Sequence, residues 1–281
     1  MGIRLTPEEF ASMAMLISEI TGIALGLDKG YLIETRLSSL AMECGCSTFQ
    51  DLHSRIRATG DPLLRTKLID AITTNETLFF RDNSPFEALQ CKILPELFDR
   101  RLASAVTGLP KNVRIWCAAV STGQEIYSIA MILRELLPDQ TGWIFTLLGT
   151  DLSNSAITQA SQGVYTDFEV GRGLRSEALR KNFVRNGGGW KVRDEIRAMV
   201  TFQRRNLLES FTDLGQFDII FCRNVAIYFS HADRVSLFNR LADRMNPGGA
   251  LFLGSSESLP EEIDRFETQH HSRATVYVKR A

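Results

Sequence analysis

The residues able to do chemistry sit where apolar runs stop. Residues 113–118 alternate and begin β-branched, then give way to Ala118, Ala119, Ser121 and Gly123. Such small residues permit a sharp backbone turn and leave room for a ligand against it. A second apolar run, 144–148, ends just before Asp151. In doubly wound sheets a small-residue turn after one strand and a carboxylate after the next hold nucleotide-like ligands: backbone at the turn, acid on a ribose hydroxyl pair. There is no Gly-x-Gly-x-x-Gly here, only Gly123. Asp151 also lies about thirty residues past the turn, later than the dinucleotide fingerprint expects. A ligand with a ribose and no phosphate, such as S-adenosylmethionine, therefore fits better than a pyrophosphate. The same residues also suit an α/β turn that binds nothing.

The 4 His are His53, His231 and the adjacent His270-His271, a spacing that suggests no metal site. Cys44-Gly45-Cys46 is not the Cys-x-x-Cys of zinc or redox sites. The 5 Cys read as reduced thiols of a cytosolic protein. With 281 residues, 44% hydrophobic and a net charge of -1, the chain can build a full core. It is not a general nucleic-acid or membrane binder by charge. No signal run or transmembrane window occurs. Met1-Gly2 with Thr6 matches a myristoylation pattern, but Thr6-Pro7-Glu8-Glu9 is better explained as a capped helix start.

The elements that must position these residues follow from periodicity. Residues 1–73 read as a helical domain with stripes Phe10, Met13, Ile17, Ile20 and Ile33, Leu37, Leu40, Ala41. Ser47 with Gln50 predicts a capping box, and Asp61-Pro62 starts another helix. Basic residues outnumber acidic ones between Ser54 and Lys67; Arg55, Arg57, Arg65 and Lys67 suggest an acidic partner as well as an ordinary solvated face. Residues 74–84 form a linker whose Phe79-Phe80 should pack onto the second domain, 85–281. Ser121 or Thr122 should cap the helix carrying Ile129, Ile132, Leu133 and Leu136, which Pro138 closes. Residues 174–199 read as an inserted subdomain with a hairpin turn at Asn186-Gly187-Gly188-Gly189. Residues 217–222 are the clearest buried strand, and 250–253 and 274–278 close the sheet, one of them antiparallel. Strands alternating with helices imply an α/β fold with a mostly parallel sheet. Ala118-Ala119, Asp151, Asn206 and Arg223-Asn224 should converge at its carboxyl ends.

Several motifs in order resemble the chemoreceptor glutamate methyltransferases (CheR). Thr74-Asn75-Glu76-Thr77 with Phe79-Phe80-Arg81-Asp82 looks like their linker motif, and the run from Trp116 to Ser128 resembles their cofactor turn. Gly149-Thr150-Asp151, Arg205-Asn206-Leu207, the run from Phe217 to Phe229 and Phe252-Leu253-Gly254-Ser255-Ser256-Glu257-Ser258 also match, over nearly the whole chain. Val120, Gln124, Ile126 and Ser255 depart from the usual pattern, and Gln124 removes a charge beside the turn. The resemblance implies a methyltransferase-like doubly wound sheet with a small β-subdomain, after an all-helical N-terminal domain. It implies S-adenosylmethionine as donor, S-adenosylhomocysteine as product, and glutamates on the cytoplasmic helices of chemoreceptors as acceptors. By residue match, Asn75, Thr77 and Arg81 reach the cofactor from the linker, and Glu125 lies near its methionyl end. Asp151 holds the ribose, and Asn206, Leu207, Arg223 and Asn224 complete the pocket. From their positions, Arg81 and Tyr228 are the catalytic candidates: Arg81 to pair with the cofactor's carboxylate or the incoming glutamate, or else to bridge the domains, and Tyr228 to wall the transfer site and orient the acceptor, or else to pack beside Phe229.

A glutamate acceptor is ionised at neutral pH, its reference pKa being about 4.3, and needs no general base. Positioning and desolvation then carry the reaction, and no nucleophilic set is required. The competing readings are a non-catalytic adaptor of the same fold and a methyltransferase acting on a small molecule. The expected protein is a cytoplasmic monomer whose basic N-terminal helices meet the receptor. A second contact, with a receptor tail or regulatory protein, is open at the inserted subdomain.

Overall fold

Helix α1 (Pro7–Thr21) starts at the capping box foreseen, with Thr6 and Glu9 exchanging side chain-to-backbone hydrogen bonds. The other Glu9 oxygen accepts the Gln50 N–H at 3.1 Å, which ties α1 to the start of α3 (Phe49–Thr59). That helix is capped by Thr48 and Asp51, not by Ser47 and Gln50. Asp51 wins because one of its carboxylate oxygens accepts both the Ser47 and Thr48 N–H groups. With α2 (Gly30–Glu43) and α4 (Pro62–Ile72) these helices enclose a core of Met13, Ile17, Ile33, Leu37, Leu52 and Leu68. The computed structural model describes residues 3–271 and 273–281, so Met1-Gly2 of the myristoylation pattern lie outside the described residues.

The linker crosses to the second domain by burying Phe79, whose ring meets Tyr165 at 5.1 Å and Phe183 at 5.5 Å, both edge-on. Helix α5 (Ser84–Ala88) continues through a wide π-turn into α6 (Leu94–Ala103). Pro95 follows at once, and the widened turn accommodates a ring that would clash inside a regular helix.

The alternation continues with β1 (Lys111–Ala118), α7 (Gln124–Leu136), β2 (Trp143–Asp151) and α8 (Asn154–Gln162). Next come β3 (Val164–Tyr165), α9 (Asp167–Gly171), α10 (Ser176–Asn182), β4 (Phe183–Asn186), β5 (Gly189–Val192) and α11 (Asp194–Arg197). The chain ends with β6 (Val200–Arg204), β7 (Phe217–Cys222), α12 (His231–Asp243), β8 (Met245–Phe252), β9 (Phe266–His271) and β10 (Ala274–Lys279).

Among the described residues the main sheet has the order β6-β2-β1-β7-β8-β10-β9. Its first five members are parallel, and β10 runs antiparallel to both β8 and β9. The order reverses between β1 and β7, which opens a crevice beyond their carboxyl ends. Register brings Ala118 opposite both Thr150 and Cys222, and Asp151 opposite Arg204, so these ends stand level. Strand β9 has no counterpart in the sequence reading: Phe-Glu-Thr-Gln-His-His buries only its first residue and sits at the sheet edge. β8 starts earlier than residue 250, at Met245. The second sheet, β3-β5-β4, takes in Val164–Tyr165, upstream of residue 174.

Candidate active site

The turn after β1 is built from positions that glycine usually takes. Ala119 and Ser121 have φ of 68° and 52°, and Gly123 has φ of 97°. Non-glycine residues stay in this region only where the surroundings over-determine them. Here the Val120 N–H donates to Thr150 O at 2.8 Å and the Ser121 N–H to Asp151 Oδ2 at 2.8 Å. The Ser121 hydroxyl donates to the carbonyl of Asn75 in the linker at 2.9 Å, and that of Thr122 to Gln124 Oε1 at 2.8 Å. Neither caps α7, contrary to the sequence expectation, because both hydroxyls are engaged elsewhere; Gly123 holds the cap position. An added Cβ at Gly123 would lie 3.0 Å from Ala160 Cβ and Tyr165 Oη, so the glycine also permits close packing.

Asp151 ends β2 with its second oxygen accepting the Ser153 N–H at 2.9 Å. Each oxygen keeps a lone pair for a ligand hydroxyl. Burial raises its carboxyl above the ordinary value, and the N–H groups of Ser153 and Ser121 oppose that rise. Glu125, in the first turn of α7, is also raised by burial, with Arg223 opposing at 2.9 Å. Arg223 follows β7 and is 5% exposed; it donates further to Asp82 Oδ2 at 2.6 Å, Arg81 O at 3.1 Å and Leu253 O at 3.3 Å. It therefore clamps linker, α7 and sheet together. Asn206 donates to the Ile20 carbonyl at 3.0 Å and accepts the Leu208 N–H, which fastens the end of α1. Leu207 is buried beside it.

All ten residues named from the sequence line one cavity of about 350 Å³: Asn75, Thr77, Arg81, Glu125, Asp151, Asn206, Leu207, Arg223, Asn224 and Tyr228. Reasoning from sequence missed its far side. Ile23, Ala24, Leu25, Lys29 and Arg36 of the helical domain close it, and the Ala24 N–H donates to Tyr228 O at 2.8 Å. An apolar run outside any helical stripe, Ile23-Ala24-Leu25, was the available signal. Among the described residues no group of His, Cys, Asp and Glu could hold a metal, and His231 instead pairs with Glu262.

Residues 75–275 match the family model for the SAM binding domain of CheR methyltransferases, and residues 8–73 match that for their all-alpha domain. The chain belongs to the CheR methyltransferase family. Chemotaxis protein methyltransferase 1 of Pseudomonas aeruginosa is 40% identical over 273 residues, covering 96% of this chain and 97% of that one. Chemotaxis protein methyltransferase 1 of Vibrio cholerae is 38% identical over 278 residues, with 98% of each chain covered. The chemotaxis protein methyltransferase of Borreliella burgdorferi is 32% identical over 261 residues, covering 92% and 91%.

The cavity chemistry suits the S-adenosylmethionine of this family. A buried carboxylate with spare lone pairs stands beside the small-residue turn, an acid lies in the first turn of α7, and among the described residues the Arg81 guanidinium donates only through Nη1, to the Glu76 carbonyl at 2.9 Å.

Proposed function

We propose that this CheR-family methyltransferase is a protein-glutamate O-methyltransferase that methylates chemoreceptor glutamates in chemotactic adaptation, leaving S-adenosylhomocysteine. The observation that carries this is one cavity, at the switch point of the sheet, lined by all ten site residues named from the sequence. When bound, S-adenosylmethionine supplies an electrophilic methyl group on a sulfonium. The chain's own residues bind and orient. Asp151 accepts from the ribose hydroxyls, with Asn75, Thr77 and Leu207 forming the adjoining walls. Glu125 marks the methionyl end, and Arg81 offers a planar charged fork to a carboxylate. Arg223 and Asn206 keep the walls together, and Asn224 and Tyr228 bound the side where the acceptor enters. The Ser121 hydroxyl is engaged with the linker, and burial pushes the Cys117 thiol well up, so neither is an activated nucleophile. An ionised acceptor needs none.

The partner reading is an acidic receptor bundle on the helical domain. Arg65 is exposed, Arg57 and Lys67 hold exposed pairs with Glu19 and Glu43, and Arg55 donates to the Cys44 carbonyl at 2.6 Å. Exposed pairs are worth about 0–1 kcal/mol and exchange readily for another partner. Strand β4 pairs only with β5 among the described residues, so its outer edge can accept a strand from a receptor tail or regulatory protein. No described helix is long and apolar enough to cross a membrane; a cytoplasmic location and a monomeric state are part of the same proposal. The test is labelled donor with purified protein and receptor-bearing membranes. Base-labile label on the receptor is expected. Cofactor binding without any transfer would favour an adaptor, and label on small molecules alone would redirect the substrate class.

A further inference from the structure

One carboxylate that no step above uses holds the cavity wall from behind. Glu257 follows β8 in the run Gly254-Ser255-Ser256-Glu257 and does not line the cavity. Its Oε2 accepts the N–H of Asn224 at 2.6 Å and of Gly254 at 2.8 Å. Its Oε1 accepts the N–H of Val225 at 3.1 Å and of Ile227 at 3.3 Å. Three of these four donors belong to the segment that leaves β7 and presents Asn224 and Tyr228 to the cavity. Asn224 has φ of 57°, a left-handed conformation that asparagine reaches more easily than most residues with a Cβ, and Glu257 accepts the N–H groups on both sides of it. Gly254 makes the approach possible, since a Cβ there would lie 2.6 Å from both Glu257 Oε2 and Asn224 Nδ2. The same segment ends at the Tyr228 carbonyl that holds Ala24.

We propose that Glu257 is a positioning residue for methyl transfer: its charge gathers these four N–H groups and so sets Asn224 and Tyr228 against the cavity. This rests on the methyltransferase reading above. Hydrogen bonds to an ionised acceptor are the strong kind. Glutamine cannot replace it, because its amide offers oxygen to one pair of N–H groups and its own donors to the other pair.

The experiment uses the full chain with Glu257→Gln and, approaching the same carboxylate from the other side, Gly254→Ala. Hydrogen exchange of residues 223–229 and methyl transfer at saturating donor and receptor are both read. Exchange should accelerate in that segment and not in the distant helical core. Turnover should fall about 100-fold, as expected for a displacement on the order of 1 Å. The double variant with Tyr228→Phe should be no slower than Glu257→Gln alone, since coupled residues are non-additive. Unchanged exchange in the segment, acceleration throughout the chain in both variants, or independent losses with Tyr228→Phe would each overturn the proposal. A wild-type protein that transfers no methyl group would bring down the functional reading and the proposal together. Normal wild-type transfer with unaltered exchange in the variants would bring down the proposal alone.

Discussion

Arg81 and Arg223 border the same cavity and differ in what they have left to offer. Every nitrogen of the Arg223 guanidinium donates to protein, whereas among the described residues Arg81 gives one hydrogen bond, to Glu76 O. The sequence placed both at the site but could not reveal this division, because the partners of Arg223 come from a linker, a helix and a strand far apart in the chain. Arg81→Ala should therefore lower methyl transfer at saturating donor and receptor by about 10- to 100-fold, the factor for losing a bond to a charged group, with little change in Tm. Lys at this position should rescue poorly if the fork matters. Full turnover in Arg81→Ala would end the direct role. Asp151 is a second test at this scale. Asp151→Ala should weaken S-adenosylhomocysteine binding by about 1.5–3 kcal/mol in calorimetry. Its pH sign follows from burial. A carboxyl raised in the folded state contributes stability below the unfolded value of about 3.9, and that contribution is lost as pH rises through the folded value. Asp151→Asn should accordingly gain Tm relative to wild type as pH rises across that window, while a flat difference would show that Asp151 titrates ordinarily.

Among the elements, those with strong periodicity or burial were legible: α1 to α4, the turn after β1, and β7, which is buried at every position. What escaped were elements set by distant partners. β9 exists because β10 offers it an edge, and β3 because β5 does; neither has an apolar pattern of its own. The π-turn before Pro95 is likewise a response to a ring, not to a period. The contact between linker and inserted subdomain is of this kind too. Gly173, at φ of 95°, packs so close to the linker that an added Cβ would lie 1.9 Å from the Phe79 carbonyl oxygen. Gly187, at φ of 57° in the β4–β5 hairpin, has nothing within 4 Å of such a Cβ. Gly187→Ala should thus cost only the left-handed strain, about 1 kcal/mol. Gly173→Ala should add overpacking against backbone, about 1–3 kcal/mol more, and loosen the linker that carries Asn75 and Arg81. Denaturant melts of the two variants decide this, and equal losses would mean that the linker yields without cost.

At the scale of the whole molecule, the net charge of -1 gives no general attraction to anything, so any electrostatic partner must be met by a local field. The helical domain provides one on α3 and α4, where Arg65 is exposed and Lys67 is only loosely committed to Glu43 at 3.1 Å. Both lie away from the residues that line the cavity, although their domain supplies its roof. A partner held there is therefore separable from the cofactor, and the two can be told apart kinetically. Arg65→Glu with Lys67→Glu replaces attraction by repulsion at two exposed positions. Each such contact is worth about 0.2–1 kcal/mol, so the pair should raise the KM for receptor by roughly tenfold. Turnover at saturating receptor and the affinity for S-adenosylhomocysteine should stay as in wild type. Because exposed charges are screened over about 8 Å at physiological ionic strength, the wild-type KM should rise with salt and the variant's should rise less. A wild-type KM indifferent to salt, or a variant that loses turnover and cofactor affinity together, would take the receptor contact away from this face.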